Sequence, residues 1–125
     1  MGRVAVDFYA EQVHSPLEDA QSFRKYLGGC AGNTAVGTAR LGLKSAMFSC
    51  VGTDDMGIYL RNTLEKEGVD TSLLRSTPEH LTALVLLGVN PPSRFPLIST
   101  VKTALTCRFK RKTPTLKFSA KLKDY

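Results

Sequence analysis

The stretch "GGCAGNTAVGTARLG" (residues 28–42) decides the fold of this chain. Its paired glycines allow a tight turn that a β-branched residue could not make. Ala35, Val36 and Ala39 then fall on one helical face. Gly42 is placed to end that helix. We therefore predict a turn that leads into a helix beginning near Asn33.

Predicted strands lie on both sides of this turn and helix. "RVAVDFYA" (residues 3–10) and "KSAMFSCVG" (residues 44–52) are runs typical of strands. "LTALVLLGV" (residues 81–89) predicts another strand. A turn at residues 90–94 would join it to a returning strand at residues 95–98.

The clearest helix is predicted in "TDDMGIYLRNTLEKEGVD" (residues 53–70). Thr53 or Asp54 caps it, and Gly68 ends it. The pattern of residues 15–27 leaves a helix and an irregular excursion equally open. Strands and helices in this order predict an α/β fold with right-handed crossovers. The apolar stripe of the helix would consist of Met56, Tyr59, Leu60 and Leu64.

Composition limits the classes of protein to which this chain can belong. The 125 residues are 42% hydrophobic, an ordinary globular content, and make up one domain at most or part of a larger one. The sequence has no apolar run of the roughly 20 residues that span a membrane and no apolar signal-peptide core at its start. Cys30, Cys50 and Cys107 are too widely spaced for a zinc pattern or a disulfide framework. We therefore expect a cytoplasmic protein with no membrane partner.

The net charge of +6 comes from one end of the chain. Residues 1–98 carry nine Lys and Arg against ten Asp and Glu, a net charge of −1. Residues 99–125 carry eight against one, a net charge of +7. This basic tail leaves open a small module that binds nucleic acid or another polyanion. No nucleic-acid motif accompanies it, which makes that partner the weaker interpretation.

Several residues near the glycine turn are candidate ligand contacts. Gly28 and Gly29 let backbone N–H groups approach a ligand at the positive end of the helix. Asn33 can donate and accept hydrogen bonds, which suits a hydroxyl-bearing ligand, but it could equally cap the helix. Asp7 lies at the end of the first predicted strand, where α/β proteins bind ligands, although a solvated acid is the simpler interpretation there.

Other chemical motifs are incomplete. Residues 37–45 resemble a phosphate loop, but they carry one residue too many and run from a helix into a strand, the reverse of that motif's context. His14 and His80 have no cysteine or carboxylate at metal-ligand spacing. Asp54 and Asp55 are explained by helix capping. The sequence therefore predicts no metal site.

Residues 28–52 resemble the first signature of the PfkB, or ribokinase-like, carbohydrate kinases. This signature consists of paired glycines followed at fixed spacing by small residues, an asparagine and two further glycines. The resemblance covers residues 2–98. It implies a partial ribokinase-like α/β fold: the N-terminal part of the central sheet with flanking helices, plus the strands of a β-lid. The matching positions are Gly28, Gly29, Ala31, Asn33, Ala35, Gly42 and Gly52.

The resemblance also implies a reaction and a site. The intact family uses ATP and Mg²⁺ to phosphorylate a sugar hydroxyl, here of a sugar-acid substrate. Asp7 would bind substrate hydroxyls, and residues 81–98 would supply lid strands through which a homodimer could form. The sugar site would be lined by Gly28, Gly29, Cys30 and Asn33.

The chain departs from the family in its length and in a missing motif. Family members are roughly twice as long or more. Their second signature, a Gly-Ala-Gly-Asp-like run that supplies the catalytic base and an anion hole, does not occur in this sequence. We therefore expect no catalytic residue in this chain, poor binding of ATP and Mg²⁺, and no sugar phosphorylation by the polypeptide as written.

A further departure begins after Ile98, where the family continues with an aromatic lid strand. Residues 98–109 can be back-translated with permitted codons. When one base is inserted after the codon for Ile98, the new reading frame begins Ile-Phe-Tyr-Arg-Glu-Asn, which has the family's character. We therefore divide the chain in two. Residues 1–98 form the N-terminal, substrate-side part of a kinase domain. Residues 99–125 are expected to be an unstructured, out-of-frame tail.

Overall fold

The structure, a computed structural model, describes residues 1–89 and 95–100. These residues form six strands, two α-helices and a short 3₁₀ turn at Leu17–Asp19. The elements follow one another as β1 Ala5–Ala10, β2 Phe23–Gly28, α1 Cys30–Arg40, β3 Ser49–Gly52, α2 Asp55–Lys66, β4 Leu74–Thr77, β5 Leu84–Leu87 and β6 Leu97–Ser99.

The larger sheet contains four strands in the order β2-β1-β5-β6. β1 pairs antiparallel with β2, which sets Asp7 opposite Tyr26, and parallel with β5, which sets Asp7 opposite Val85. β6 returns antiparallel to β5, and β3 and β4 form a separate parallel pair. Because side chains of residues paired across neighbouring strands project from the same face of a sheet, Tyr26, Asp7 and Val85 form one row on one face of the larger sheet.

The main core lies on the opposite face of β1. Val6 of β1 is fully buried there against Leu60 and Leu64 of α2, which stand one turn apart on that helix. Met47, at 1% exposed, precedes β3 and packs into the same cluster. α1 contributes Ala35, whose small side chain allows the helix to approach closely. The predicted stripe of α2 is confirmed, since all four of its residues pack in this core.

Local signals identified most elements correctly, with three corrections. α1 begins at Cys30 after Gly29, so the prediction that it begins at Asn33, with Asn33 as a cap, is wrong. Residues 15–27 contain an irregular excursion, but they end in a strand, β2, which was not predicted. β4 was also not predicted, and it pairs with β3 in a second sheet.

The end of the described chain joins the larger sheet. β6 contains the last two residues of the predicted returning strand, Leu97 and Ile98, and extends to Ser99. The backbone N–H of Thr100 donates to the carbonyl of Leu84 at 3.0 Å. The predicted turn at residues 90–94 and most of the predicted tail, residues 101–125, lie outside the described residues. In the part of the chain that the structure describes, no helix has the length and apolar character needed to cross a membrane.

Candidate functional site

Asp7 occupies the middle of the larger sheet, where β2 makes room for its side chain. Gly28 of β2 pairs with Ala5, which is two residues before Asp7 on β1, so Gly28 lies diagonally across from Asp7. A Cβ on Gly28 would overlap the Asp7 carboxylate. Gly28 is therefore required for the space it leaves free and not for an unusual backbone conformation.

Gly29 turns the chain from β2 into α1. Its φ of 90° lies in the region that favours glycine, and a Cβ there would stand 2.6 Å from the carbonyl oxygen of Arg3. The backbone N–H of Asn33 donates to the carbonyl of Gly29 at 3.0 Å, closing the first turn of α1. Asn33 thus lies inside the helix, with its side chain exposed on the first turn.

Two cavities meet at Asp7. The larger, of about 710 Å³, is lined by Asp7 together with Gly29 and Cys30 at the start of α1. The smaller, of about 480 Å³, is lined by Asp7, Tyr9, Tyr26, Leu27 and Asn33. Four of the predicted site residues therefore line these cavities, and the fifth, Gly28, lies directly beneath the carboxylate.

The Asp7 carboxylate has unused hydrogen-bonding capacity. Partial burial raises the pKa of Asp7. Among residues 1–89 and 95–100, none donates a hydrogen bond to this carboxylate, and none pairs with the side-chain amide of Asn33. A carboxylate accepts hydrogen bonds, whereas an amide both accepts and donates them. Together they suit a ligand that carries several hydroxyl groups.

An aromatic pair forms one wall of the smaller cavity. The ring centroids of Tyr9 and Tyr26 lie 5.6 Å apart with an interplanar angle of 83°, an edge-to-face arrangement. Neither tyrosine was predicted as a site residue, because the pairing of Tyr26 in β2 with β1 was not predicted. The chain must come back from β1 to the glycine pair, and this is compatible with an antiparallel strand that pairs with β1. In such a strand Tyr26 lies on the same face as Gly28, because the two are two residues apart.

The described residues contain no cluster of metal ligands. Across these two segments, no three His, Cys, Asp or Glu side chains are grouped closely enough to hold an ion. Asp54 serves instead as the cap of α2, as expected, since its Oδ1 accepts from the N–H groups of Met56 and Gly57. No step is therefore assigned to Mg²⁺ in this part of the chain.

Comparison with known proteins assigns this arrangement to a family. The pfkB family carbohydrate kinase model matches residues 1–103, most of the chain. The chain belongs to the pfkB family of carbohydrate kinases. The resemblance drawn from the glycine signature is thus confirmed.

Curated relatives of this pfkB chain include two 5-dehydro-2-deoxygluconokinases. The protein from Clostridium tetani is 47% identical over 72 residues, which are 58% of this chain and 21% of the relative. The protein from Geobacillus kaustophilus is 34% identical over 94 residues, which are 74% of this chain and 28% of the relative. The chain thus spans about a quarter of the length of these kinases.

Solved structures of pfkB-type kinases share the fold. A sugar kinase from Pyrococcus horikoshii, crystallised in complex with ATP, is 32% identical with a TM-score of 0.76, and the match covers 82% of this chain and 33% of that one. The PfkB protein from Polaromonas is 33% identical with a TM-score of 0.75, covering 82% and 34%. The predicted α/β, ribokinase-like fold class is confirmed.

Proposed function

We propose that this chain forms the sugar-binding part of an ATP-dependent kinase that phosphorylates a hydroxyl of a sugar acid. The Asp7 carboxylate, which accepts no hydrogen bond from the described residues and lies between two cavities on the space left by Gly28, is the observation that carries this proposal. The names of the relatives support a substrate of the 5-dehydro-2-deoxygluconate class.

Each predicted site residue has a role in this proposal. Asp7 accepts hydrogen bonds from substrate hydroxyls, and the side-chain amide of Asn33 donates to or accepts from a neighbouring hydroxyl. Gly29 and Cys30 bring the N–H groups at the start of α1 to the cavity edge, where they favour an oxygen-rich ligand. Gly28 contributes by leaving space for Asp7.

Phosphoryl transfer needs groups that this sequence lacks. A kinase of this type holds the ATP phosphates and activates the acceptor hydroxyl with a base, and the Gly-Ala-Gly-Asp-like run that would supply that base does not occur here. We therefore propose that residues 1–98 bind the sugar, and that this polypeptide alone transfers no phosphoryl group. ATP and Mg²⁺ would be bound by a complementary part of the kinase domain.

The location and assembly of the chain follow the same proposal. A cytoplasmic location suits three cysteines without a disulfide framework. β5 and β6 would form lid strands over the sugar. Leu97 and Ile98 of β6 are 59% and 58% exposed, and a homodimer formed through the lid would cover them. The polyanion-binding alternative rests on the basic tail, and none of the described residues favours it.

Titration of the ¹⁵N-labelled chain with 5-dehydro-2-deoxygluconate tests the proposal. We expect amide shifts at residues 28–33 and around Asp7, and we expect Asp7→Asn to abolish them because the amide no longer offers a charged acceptor. Asp55→Asn, which removes the same charge from an exposed position on α2, is the matched control. Equal binding by the Asp7→Asn and Asp55→Asn variants would refute the proposal.

A further inference from the structure

A single cation, Arg24, stands on the face of β2 that carries the candidate site. Arg24 and Tyr26 are two residues apart in this strand and therefore share a face. Their partners on β1 are Tyr9 and Asp7, respectively. Arg24 thus lies one row beyond Tyr26, about 6.8 Å farther along the sheet, on the opposite side of the tyrosine pair from Asp7.

The guanidinium of Arg24 is held in place but not saturated. Its Nη2 lies 3.1 Å from Oε1 of Glu11, which continues the same face of β1. The Arg24 side chain is 67% exposed. A guanidinium has five N–H donors in a planar fork, so among the described residues the contact with Glu11 leaves donors for a further acceptor.

We propose that Arg24 binds the carboxylate of the sugar acid and gives the site its preference for acids over neutral sugars. This inference rests on the proposed function. A ligand whose hydroxyls meet Asp7 would cross the Tyr9–Tyr26 pair to reach Arg24. The distance between the two rows is comparable with the length of an extended six-carbon acid. A carboxylate at that end would accept paired, charge-assisted hydrogen bonds from the guanidinium.

Two neighbouring charges bear on this assignment. Glu11 competes with the ligand for the guanidinium, so the bound acid would replace or share that contact. Arg3 is the rival cation, because it lines the larger cavity with Asp7 and Cys30. That cavity is lined by hydroxyl-bearing residues such as Thr34 and Ser45 as well as by Ala31 and Val85, whereas Tyr9 and Tyr26 line the smaller cavity, which Arg3 does not line. The geometry therefore favours Arg24.

The test compares an acid with a neutral sugar on the full 125-residue chain. The probes are 5-dehydro-2-deoxygluconate and D-fructose, with affinities measured by amide-shift titration. Arg24→Gln should weaken binding of the acid by about tenfold, as expected for an exposed charged hydrogen bond, and leave fructose unchanged. Arg24→Lys should restore part of the loss. Glu11→Gln should strengthen binding of the acid, because it frees the guanidinium.

Lys25→Gln is the matched control. Lys25 is the next residue of the same strand on its other face, where its Nζ stands 4.3 Å from the ring centroid of Tyr59. The inference on Arg24 is overturned if Lys25→Gln weakens acid binding as much, or if Arg3→Gln removes the preference instead. The proposed function would survive either result if Asp7→Asn abolishes binding of both probes. Failure of the unaltered chain to bind either probe would overturn both proposals.

Discussion

Asp54 is hydrogen-bonded to Thr82, and this contact fastens the start of α2 to the segment that enters β5. Oδ2 of Asp54 accepts from the backbone N–H of Thr82 at 2.7 Å, while Oδ1 accepts from the N–H groups of Met56 and Gly57 at 3.0 and 2.9 Å. The Thr82 hydroxyl in turn accepts from the N–H of Gly52 at 3.0 Å. One carboxylate therefore orients the entrance to β5, the strand next to Asp7.

Asp54→Ala should lower the free energy of unfolding by about 1–2 kcal/mol, because it removes a helix cap. It also leaves the Thr82 N–H without its acceptor, which adds to the loss. Urea denaturation measures the change. Asp55→Ala alters the next residue, whose side chain makes no capping bond, and should cost less. Equal losses would show that the contact with Thr82 and the cap contribute nothing.

The stability of the fold should depend on pH through Asp54. Burial opposes its ionisation, but hydrogen bonds from Thr82, Gly57 and Met56 outweigh that effect and lower its pKa below the ordinary value of 3.8. The ionised form therefore stabilises the fold above pH 3.8, and this contribution is lost as the pH falls through the lowered pKa. Denaturation midpoints measured below about pH 5 should fall less steeply for Asp54→Asn than for the unaltered chain.

Asp7 should give the opposite dependence of fold stability on pH. Burial raises its pKa above 3.8, so the folded chain holds this proton more tightly than the unfolded chain. Stability is therefore lost as the pH rises from 3.8 through the raised pKa. Asp7→Asn should stabilise the fold at neutral pH while it abolishes sugar binding, and thermal unfolding at pH 7 would show a raised midpoint. A lowered midpoint would contradict this account of the site.

Gly28→Ala should disrupt the site by displacing the Asp7 carboxylate, since the new Cβ would occupy its position. We expect loss of sugar-acid binding, measured by the same amide-shift titration. Gly37→Ala is the control, because a Cβ at Gly37 in α1 meets no atom within 4 Å. It should retain binding and stabilise the fold by up to about 1 kcal/mol through helix propensity. Unchanged binding by Gly28→Ala would count against Asp7 as a ligand contact.

Leu60→Ala should cost about 2–5 kcal/mol of unfolding free energy, because Leu60 is fully buried between α2 and β1 and leaves a cavity. Ile58→Ala, two residues away on the same helix, changes a side chain that is 54% exposed and should cost less than about 1 kcal/mol. Similar losses in the two variants would indicate that α2 does not pack as described.

The sequence predicted the helices better than the sheet, and the reason is physical. The caps and apolar stripe that define α2 lie within a few residues of one another, so local pattern suffices. β2 is an edge strand in which Arg24, Lys25 and Tyr26 are all exposed, and its identity depends on pairing with the distant β1. The same holds for the site. Asp7 was predicted, but its contact with Tyr26 depends on strand register.

The pairing of Tyr9 with Tyr26 gives this protein a built-in optical probe. The chain contains no tryptophan and four tyrosines, so its ultraviolet emission comes mainly from tyrosine. Two of these four rings meet edge to face at the smaller cavity. Any molecule that enters that cavity will change their surroundings, and its arrival can therefore be followed in an unlabelled sample.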